Sequence, residues 1–234
     1  MIVMPVDIIA NIQTLRERIA AAARRVGRPA DSVKLLAVTK TVLPAAIRTA
    51  MEAGVTDFGE NYVQEAREKI PVLGNNARWH MIGHLQTNKA KYAVQLFDWI
   101  HSVDRLELAV ELNRMLEKTG RAMNILIEVN VSGEETKNGV PADRALDLIK
   151  SIAPLKHLCV KGLMTMAPYS DNPENARPCF AALRKLQQDI LREDIDGVEM
   201  TELSMGMTDD FEVAIEEGAT IVRIGRAIFG ERRY

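Results

Sequence analysis

Hydrophobic positions along this chain follow two periods in turn. Ile8, Ile12, Leu15, Ile19, Ala22 and Val26 recur at spacings of three and four. That spacing predicts an amphipathic helix over about residues 5–27, with Arg16, Arg18, Arg24 and Arg25 on a solvated face and Gly27 as its stop. The next run, Leu35-Leu36-Ala37-Val38, is apolar on both phases and closes with Thr39 and Lys40. A short run with no polar face predicts an inner strand of a parallel sheet, covered on both sides. Pro44 to Met51 then reads as a second helix stopped at Gly54, and Val55 to Phe58 as a second strand.

The alternation continues. Trp79–Ile82, Trp99–Val103, Met123–Val129, Leu158–Leu163, Val198–Leu203 and Thr220–Ile224 bring the strand candidates to eight, with helical segments between them. Asp104 with Glu107 reads as an acidic capping box, Pro141 and Pro173 as first helical residues, and Thr208 as a cap ahead of Asp209 and Asp210. The expected fold is α/β: one (β/α)8 TIM barrel over residues 1–234 with an extra N-terminal helix. A doubly wound open sheet is the runner-up, but the Gly-x-Gly-x-x-Gly turn it needs after its first strand is absent. No Pro/Gly/Ser-rich linker divides the chain.

Composition narrows the function classes. At 234 residues and 47% hydrophobic, the chain can bury a large core. A formal net charge of -2 gives no polyanion-binding surface, so nucleic acid is not an expected partner. Cys159 and Cys179 fit no metal or redox spacing, and together with the four histidines they supply no metal site. A reducing cytoplasm is the expected location. The first residues lack the basic stretch of a signal peptide, and no apolar run is long enough for a bilayer, so no membrane contact is expected.

In a barrel, the residues just past each strand share one rim. That rim carries Lys40, Asn61, His84, Asn130, Met164 with Thr165, Ser204 with Gly206, and Arg223 with Gly225. A partly desolvated amine at Lys40 is a nucleophile toward an aldehyde. Ser204-Met205-Gly206-Met207-Thr208 and Arg223-Ile224-Gly225-Arg226 each place a glycine where backbone N–H groups can approach a phosphate, the second beside a short terminal helix. Barrels commonly bind phosphate after strands seven and eight. Arg223, always protonated, can donate to a pyridine nitrogen. Together these are the parts needed to hold an aldehyde-bearing phosphate ester. Blander roles stay open for each: turn glycines, an ion-paired Arg223, Asn61 as a helix cap, His80 packed beside its strand. Lys137, in the tract Glu134–Gly139, is either a solvated loop lysine or a second amine near the mouth.

Several segments carry a more specific pattern. They are Leu35-Leu36-Ala37-Val38-Thr39-Lys40-Thr41, Phe58-Gly59-Glu60-Asn61-Tyr62-Val63-Gln64-Glu65, and Trp79-His80-Met81-Ile82-Gly83-His84-Leu85-Gln86-Thr87-Asn88-Lys89. Val129-Asn130-Val131 with Lys137 and Gly139, Gly162-Leu163-Met164, Leu203-Ser204-Met205-Gly206-Met207 and Val222-Arg223-Ile224-Gly225 complete the set. With them the chain resembles, over essentially its whole length, the YggS/PROSC family of pyridoxal 5'-phosphate (PLP) homeostasis proteins.

The resemblance implies a PLP fold-type III barrel like the N-terminal domain of alanine racemase, with PLP as a Schiff base on Lys40. It implies cofactor contacts at Asn61, at Ser204, Met205 and Gly206, at Arg223 facing the pyridine nitrogen, and at the backbone of Gly225 and Arg226. Many relatives have a hydroxyl residue where this chain has Arg226, so that side chain either points away or adds a charge near the phosphate. The implied role is intracellular PLP homeostasis without turnover, with no catalytic residue assigned. PLP or related B6 vitamers are the expected ligands, PLP-dependent apo-enzymes the transient partners, and the chain a monomer. A racemase of the alanine type adds a second base and a β-domain, and this chain ends as the barrel closes; an open cofactor face excludes water poorly. A low-activity amino-acid racemase is the alternative, and a barrel whose lysine is only structural is a third.

Overall fold

In the computed structural model, residues 6–74, 76–134 and 136–231 are described; the expected helix start at residue 5, Glu135 and the chain end at Tyr234 lie outside the described residues. The first helix, α1 (Ile8–Arg25), is capped by Asp7, whose Oδ1 accepts the Ala10 N–H at 3.0 Å. Its buried stripe is Ile12, Leu15, Ile19, Ala22 and Ala23. Val26, expected on that stripe, is 41% exposed because the helix has already ended at Arg25. The arginine face is also less free than its pattern suggests. Arg16 donates to the carbonyls of Ala53 and Gly54, while Arg18 and Arg25 pair with Glu212 and Glu216.

All eight expected strands form. They are β1 (Lys34–Val38), β2 (Asp57–Glu60), β3 (Arg78–Met81), β4 (Trp99–Val103), β5 (Met123–Asn130), then, after a two-residue β6 (Val140–Pro141), β7 (Leu158–Met164), β8 (Val198–Ser204) and β9 (Ile221–Ile224). Every pairing is parallel, in the order β4-β3-β2-β1-β9-β8-β7-β5, and a β4–β5 pairing closes the ring. The result is an eight-stranded barrel, with β6 paired to β5 outside it. Around it lie α2 (Pro44–Glu52), α3 (Val63–Leu73), α4 (Ala90–Leu96), α5 (Leu106–Glu117), α6 (Ala145–Ile152), α7 (Arg177–Arg192), α8 (Phe211–Glu216) and α9 (Arg226–Phe229).

Strand alternation divides the buried residues into two sets. Ala37, Phe58, Trp79, Ile100, Ile125, Leu163, Val222 and Ile224 belong to the large apolar cluster shared with the helices. Leu36, Val38 and Ile221, on the other phase, form a small separate cluster inside the ring. The inward phase is otherwise rich in buried polar groups.

Three helix starts differ from their sequence signals. Asp104 does not cap α5, which begins at Leu106; its carboxylate is held instead by Arg105 at 2.5 Å. Nor does Thr208 cap α8, because Asp210 closes the preceding turn by accepting the Met207 N–H at 2.6 Å. Pro141 lies in β6, whereas Pro173 opens a short 3-10 turn at Pro173–Ala176.

Candidate functional site

At the C-terminal mouth of the barrel is a cavity of about 380 Å3. It is lined by Val38 at the end of β1 and Lys40 beyond it, Asn61 after β2, Ile82 after β3, Met166 and Tyr169 after β7, Met207 to Asp209 after β8, and Arg223, Gly225 and Arg226 at the end of β9. Its size suits a small ligand, and its place is where parallel barrels concentrate chemistry.

Five of the residues expected from sequence line this cavity together: Lys40, Asn61, Arg223, Gly225 and Arg226. Ser204, Met205 and Gly206 lie behind its wall. The Ser204 and Met205 side chains are fully buried, and the Gly206 carbonyl accepts the Arg223 N–H at 3.0 Å. Gly206 has φ +90° and a Cβ there would sit 2.5 Å from the Ala214 Cβ, so this turn comes against α8 only with glycine. Gly83 plays a similar part at the opposite rim. A Cβ on it would lie 2.4 Å from the Asn61 carbonyl oxygen, so its absence lets the loop after β3 back Asn61.

The peptide groups around Lys40 are clamped from α3. Lys69 Nζ donates to the Thr39 carbonyl at 2.7 Å and to Glu60 and Glu65 at 3.0 and 2.6 Å. Glu65 in turn accepts the Thr41 N–H at 2.8 Å. Thr41 holds φ +62°, the turn that swings the chain off the strand end. Burial raises the Glu60 pKa against the pull of Lys69. Glu65 is also pushed up by burial, but hydrogen bonds from Lys69 and Thr41 outweigh this and hold it below the usual range.

Arg223 is 4% exposed. Desolvation pulls its pKa down to about 10, with Asp210 and Glu128 opposing, so it remains a cation at neutral pH. Its Nη1 donates to Ser204 Oγ at 2.8 Å and its Nη2 to the Thr165 carbonyl at 2.9 Å. Behind Ser204 lies a run of buried polar groups: His80 is packed in its strand as expected, but its connection to His101 and Asp57 was missed by sequence reasoning. His101 Nδ1 is 3.0 Å from Ser204 Oγ, His101 Nε2 is 2.9 Å from His80 Nδ1, and His80 Nε2 is 3.1 Å from Asp57 Oδ1. The available signal was the inward phase: polar residues recur at Asp57, His80, His101 and Glu128 inside otherwise apolar strands. Glu128 is pushed up to about 7, first by burial and then by Asp104, with Arg223 opposing.

Other rim candidates are engaged elsewhere. His84 lines a neighbouring cavity with Tyr62, Arg67 and Gln86. The Asn130 side chain organises the loop after β5, accepting the Gly133 N–H at 3.0 Å and donating to the Glu134 carbonyl at 2.8 Å. Lys137 pairs with Glu134 at 2.9 Å. The Arg226 guanidinium is held by both oxygens of Asp209, at 2.5 and 2.6 Å, which largely cancels its charge at the rim. No cluster of metal-ligating side chains occurs among the described residues, and no helix among them is long and apolar enough to cross a membrane.

Comparison with known proteins places this geometry. A pyridoxal phosphate homeostasis protein from Aquifex aeolicus is 48% identical over 225 residues, covering 96% of this chain and 98% of the relative. The chain belongs to the pyridoxal phosphate homeostasis protein family. Another member, from Escherichia coli K12, is 41% identical over 236 residues, covering 97% of this chain and 98% of that one. These relatives carry the name of a homeostasis protein, not of an enzyme. The family model described as alanine racemase, N-terminal domain, matches residues 10–233. Among solved structures, PipY of Synechococcus elongatus with PLP bound superposes with a TM-score of 0.81 at 37% identity, over 92% of this chain and 100% of that chain. Alanine racemase from Corynebacterium glutamicum, at 16% identity and TM-score 0.71 over 97% of this chain and 63% of that chain, shares the fold of this family.

Proposed function

We propose that the chain binds pyridoxal 5'-phosphate in the cavity at the barrel mouth, holds it through a Schiff base on Lys40, and serves intracellular PLP homeostasis without sustained turnover. The observation that carries this reading is the meeting of Lys40, Arg223 and the Gly225–Arg226 turn in one cavity of about 380 Å3. The chemistry of the residues fits the group. An amine stands at one side, a buried cationic donor at the floor, and a glycine turn at the start of α9 supplies backbone N–H groups for a phosphate. Asn61 adds a buried Oδ1 without a partner among the described residues, an acceptor that a ligand donor would satisfy. PLP supplies an aldehyde for the amine. The chain's own residues orient it: Arg223 toward the pyridine nitrogen, Gly225 and Arg226 by backbone toward the phosphate, the Ser204-Met205-Gly206 turn as the wall behind. A cationic donor leaves the ring nitrogen unprotonated, which weakens the ring as an electron sink and accords with a holding role. The relatives' names and the PLP-bound PipY structure support the same reading. Release to apo-enzymes is the activity that gives such a store its use.

Absorbance of the purified protein with PLP, before and after borohydride, followed by peptide mapping, tests the reading. The expected result is a reducible band fixed to Lys40. Lys40→Ala loses it but keeps weak phosphate-driven binding; a reducible imine retained in that variant moves the link to another lysine, with Lys137 first to examine. Rapid α-proton exchange of an amino acid present in excess would replace the holding role with a racemase-type one.

A further inference from the structure

Four hydrogen bonds join Arg223 at the cavity to Asp57, the first residue of β2 at the opposite end of that strand, through Ser204, His101 and His80. Every intervening group is buried: Ser204 and His101 are fully so, and His80 is 2% exposed. The two ends, together with the charge state of the rings between them, determine the direction of each bond. Arginine only donates, and an ionised carboxylate only accepts. Asp57 stays ionised: burial pushes it up, but hydrogen bonds from Arg78, His80 and Thr56 outweigh this and hold it well below the usual carboxylate range. Arg78 grips both its oxygens, at 2.8 and 2.7 Å.

From the Asp57 end, His80 Nε2 must therefore carry a proton. Burial keeps both imidazoles neutral, lowering His80 and, still further, His101. A neutral ring with Nε2–H has an accepting Nδ1. So His80 Nδ1 accepts from His101 Nε2–H, and His101 Nδ1 accepts the single proton of Ser204. That leaves the Ser204 oxygen free to receive Arg223 Nη1. A charged His101 would instead donate to Ser204, giving its oxygen two donors and its own proton no partner.

We propose that His101 and His80 are positioning residues for Arg223: with Ser204 they form a one-directional chain of donors, anchored at Asp57, that fixes which guanidinium N–H groups remain to face the cavity. The ligand consequence rests on the PLP reading above; the chain itself does not. Other charged groups around it are Asp210 and Glu128 near Arg223, and Lys34, Arg78 and Asp98 near the histidines.

Nitrogen-correlated NMR of the ligand-free, labelled protein gives the first test. Both rings should show the neutral Nε2–H tautomer at about pH 7.5. A Nδ1–H tautomer, or a charged ring at that pH, overturns the proposal. The second test uses PLP. In His101→Leu the Ser204 proton loses its acceptor, so the bound absorbance band should move in position and in pH dependence. PLP should also be held about fivefold more weakly, the equivalent of one buried hydrogen bond. Asp57→Asn, far from the cavity, should move the band in the same sense by less. A role in packing alone would lower thermal stability and leave the band where it is. His101→Leu folded by circular dichroism but with a wild-type band, pH profile and affinity overturns the proposal. Should His101→Leu not fold, the band in Asp57→Asn decides by the same criterion. Absence of any PLP band in the wild type would defeat the cofactor reading, while the tautomer measurement would still judge the chain.

Discussion

The two faces of the barrel wall are built on opposite principles. Outward-facing strand residues and the helices share one apolar cluster, in which Phe58, Phe97, Phe180 and Phe211 are almost completely buried. Inward-facing positions place a small apolar cluster, Leu36, Val38 and Ile221, beside Asp57, His80, His101, Glu128, Ser204 and Arg223. The outer layer is stabilised by area removed from water, a non-directional force that tolerates exchange of similar shapes. The interior depends on hydrogen-bond direction, and a single changed proton alters several neighbours. The first layer makes the barrel; the second sets the electrostatics beneath its mouth.

Truncation of the outer layer is the strongest way to break this contrast. Phe180→Ala on α7 should cost about 4 kcal/mol of stability by urea denaturation, while the surviving folded protein keeps full PLP stoichiometry. Reduced stoichiometry in the folded fraction would show that the layers are not separable. Next comes Lys69→Met. It strands the fully buried Glu60, and because that carboxyl can take up a proton the cost should fall near the low end for a broken buried pair, about 3 kcal/mol. It also releases the Thr39 carbonyl beside Lys40, so PLP affinity falls in this variant, unlike in Phe180→Ala. Unchanged affinity would limit the clamp to stability.

Glu128 sharpens the contrast by pH. Its folded pKa of about 7 lies above the ordinary 4.5, so the folded state binds more protons between those values. Stability from this group is present in full below about 4.5 and is lost as pH rises through about 7, by up to roughly 3 kcal/mol. Denaturation of Glu128→Gln across that range should show a flatter profile than wild type; equal slopes would assign the pH dependence elsewhere. The smallest effect is expected at the rim. Arg226→Ala breaks an exposed pair with Asp209 and should change stability by about 0.5 kcal/mol. Binding titrations should find PLP affinity nearly unchanged, since the proposed contact there is through the backbone N–H.

Much of this organisation was legible along the chain. The Ile12-Leu15-Ile19-Ala22 stripe and the eight apolar runs predicted α1 and the eight barrel strands, because burial on a helix stripe or on both strand faces leaves a period in the sequence. Lys40, Asn61, Arg223, Gly225 and Arg226 were legible as rim residues because strand ends in a closed parallel barrel converge at one mouth. Helix starts were less so. Asp104 and Thr208 carry capping side chains, but a short-range pattern does not say that Arg105 holds the first and that Asp210 closes the turn before the second.

The sequence alone thus determined the period of each element, the count of strands and the residues at their ends, since these depend on neighbours a few positions apart. Only the tertiary structure decided that Asp57, His80, His101, Ser204 and Arg223 form one line, and that Lys69 reaches the turn bearing Lys40. Hydrogen bonds between residues as far apart as His101 and Ser204 depend on where closure of the barrel brings side chains within about 3 Å, a distance that periodicity does not carry.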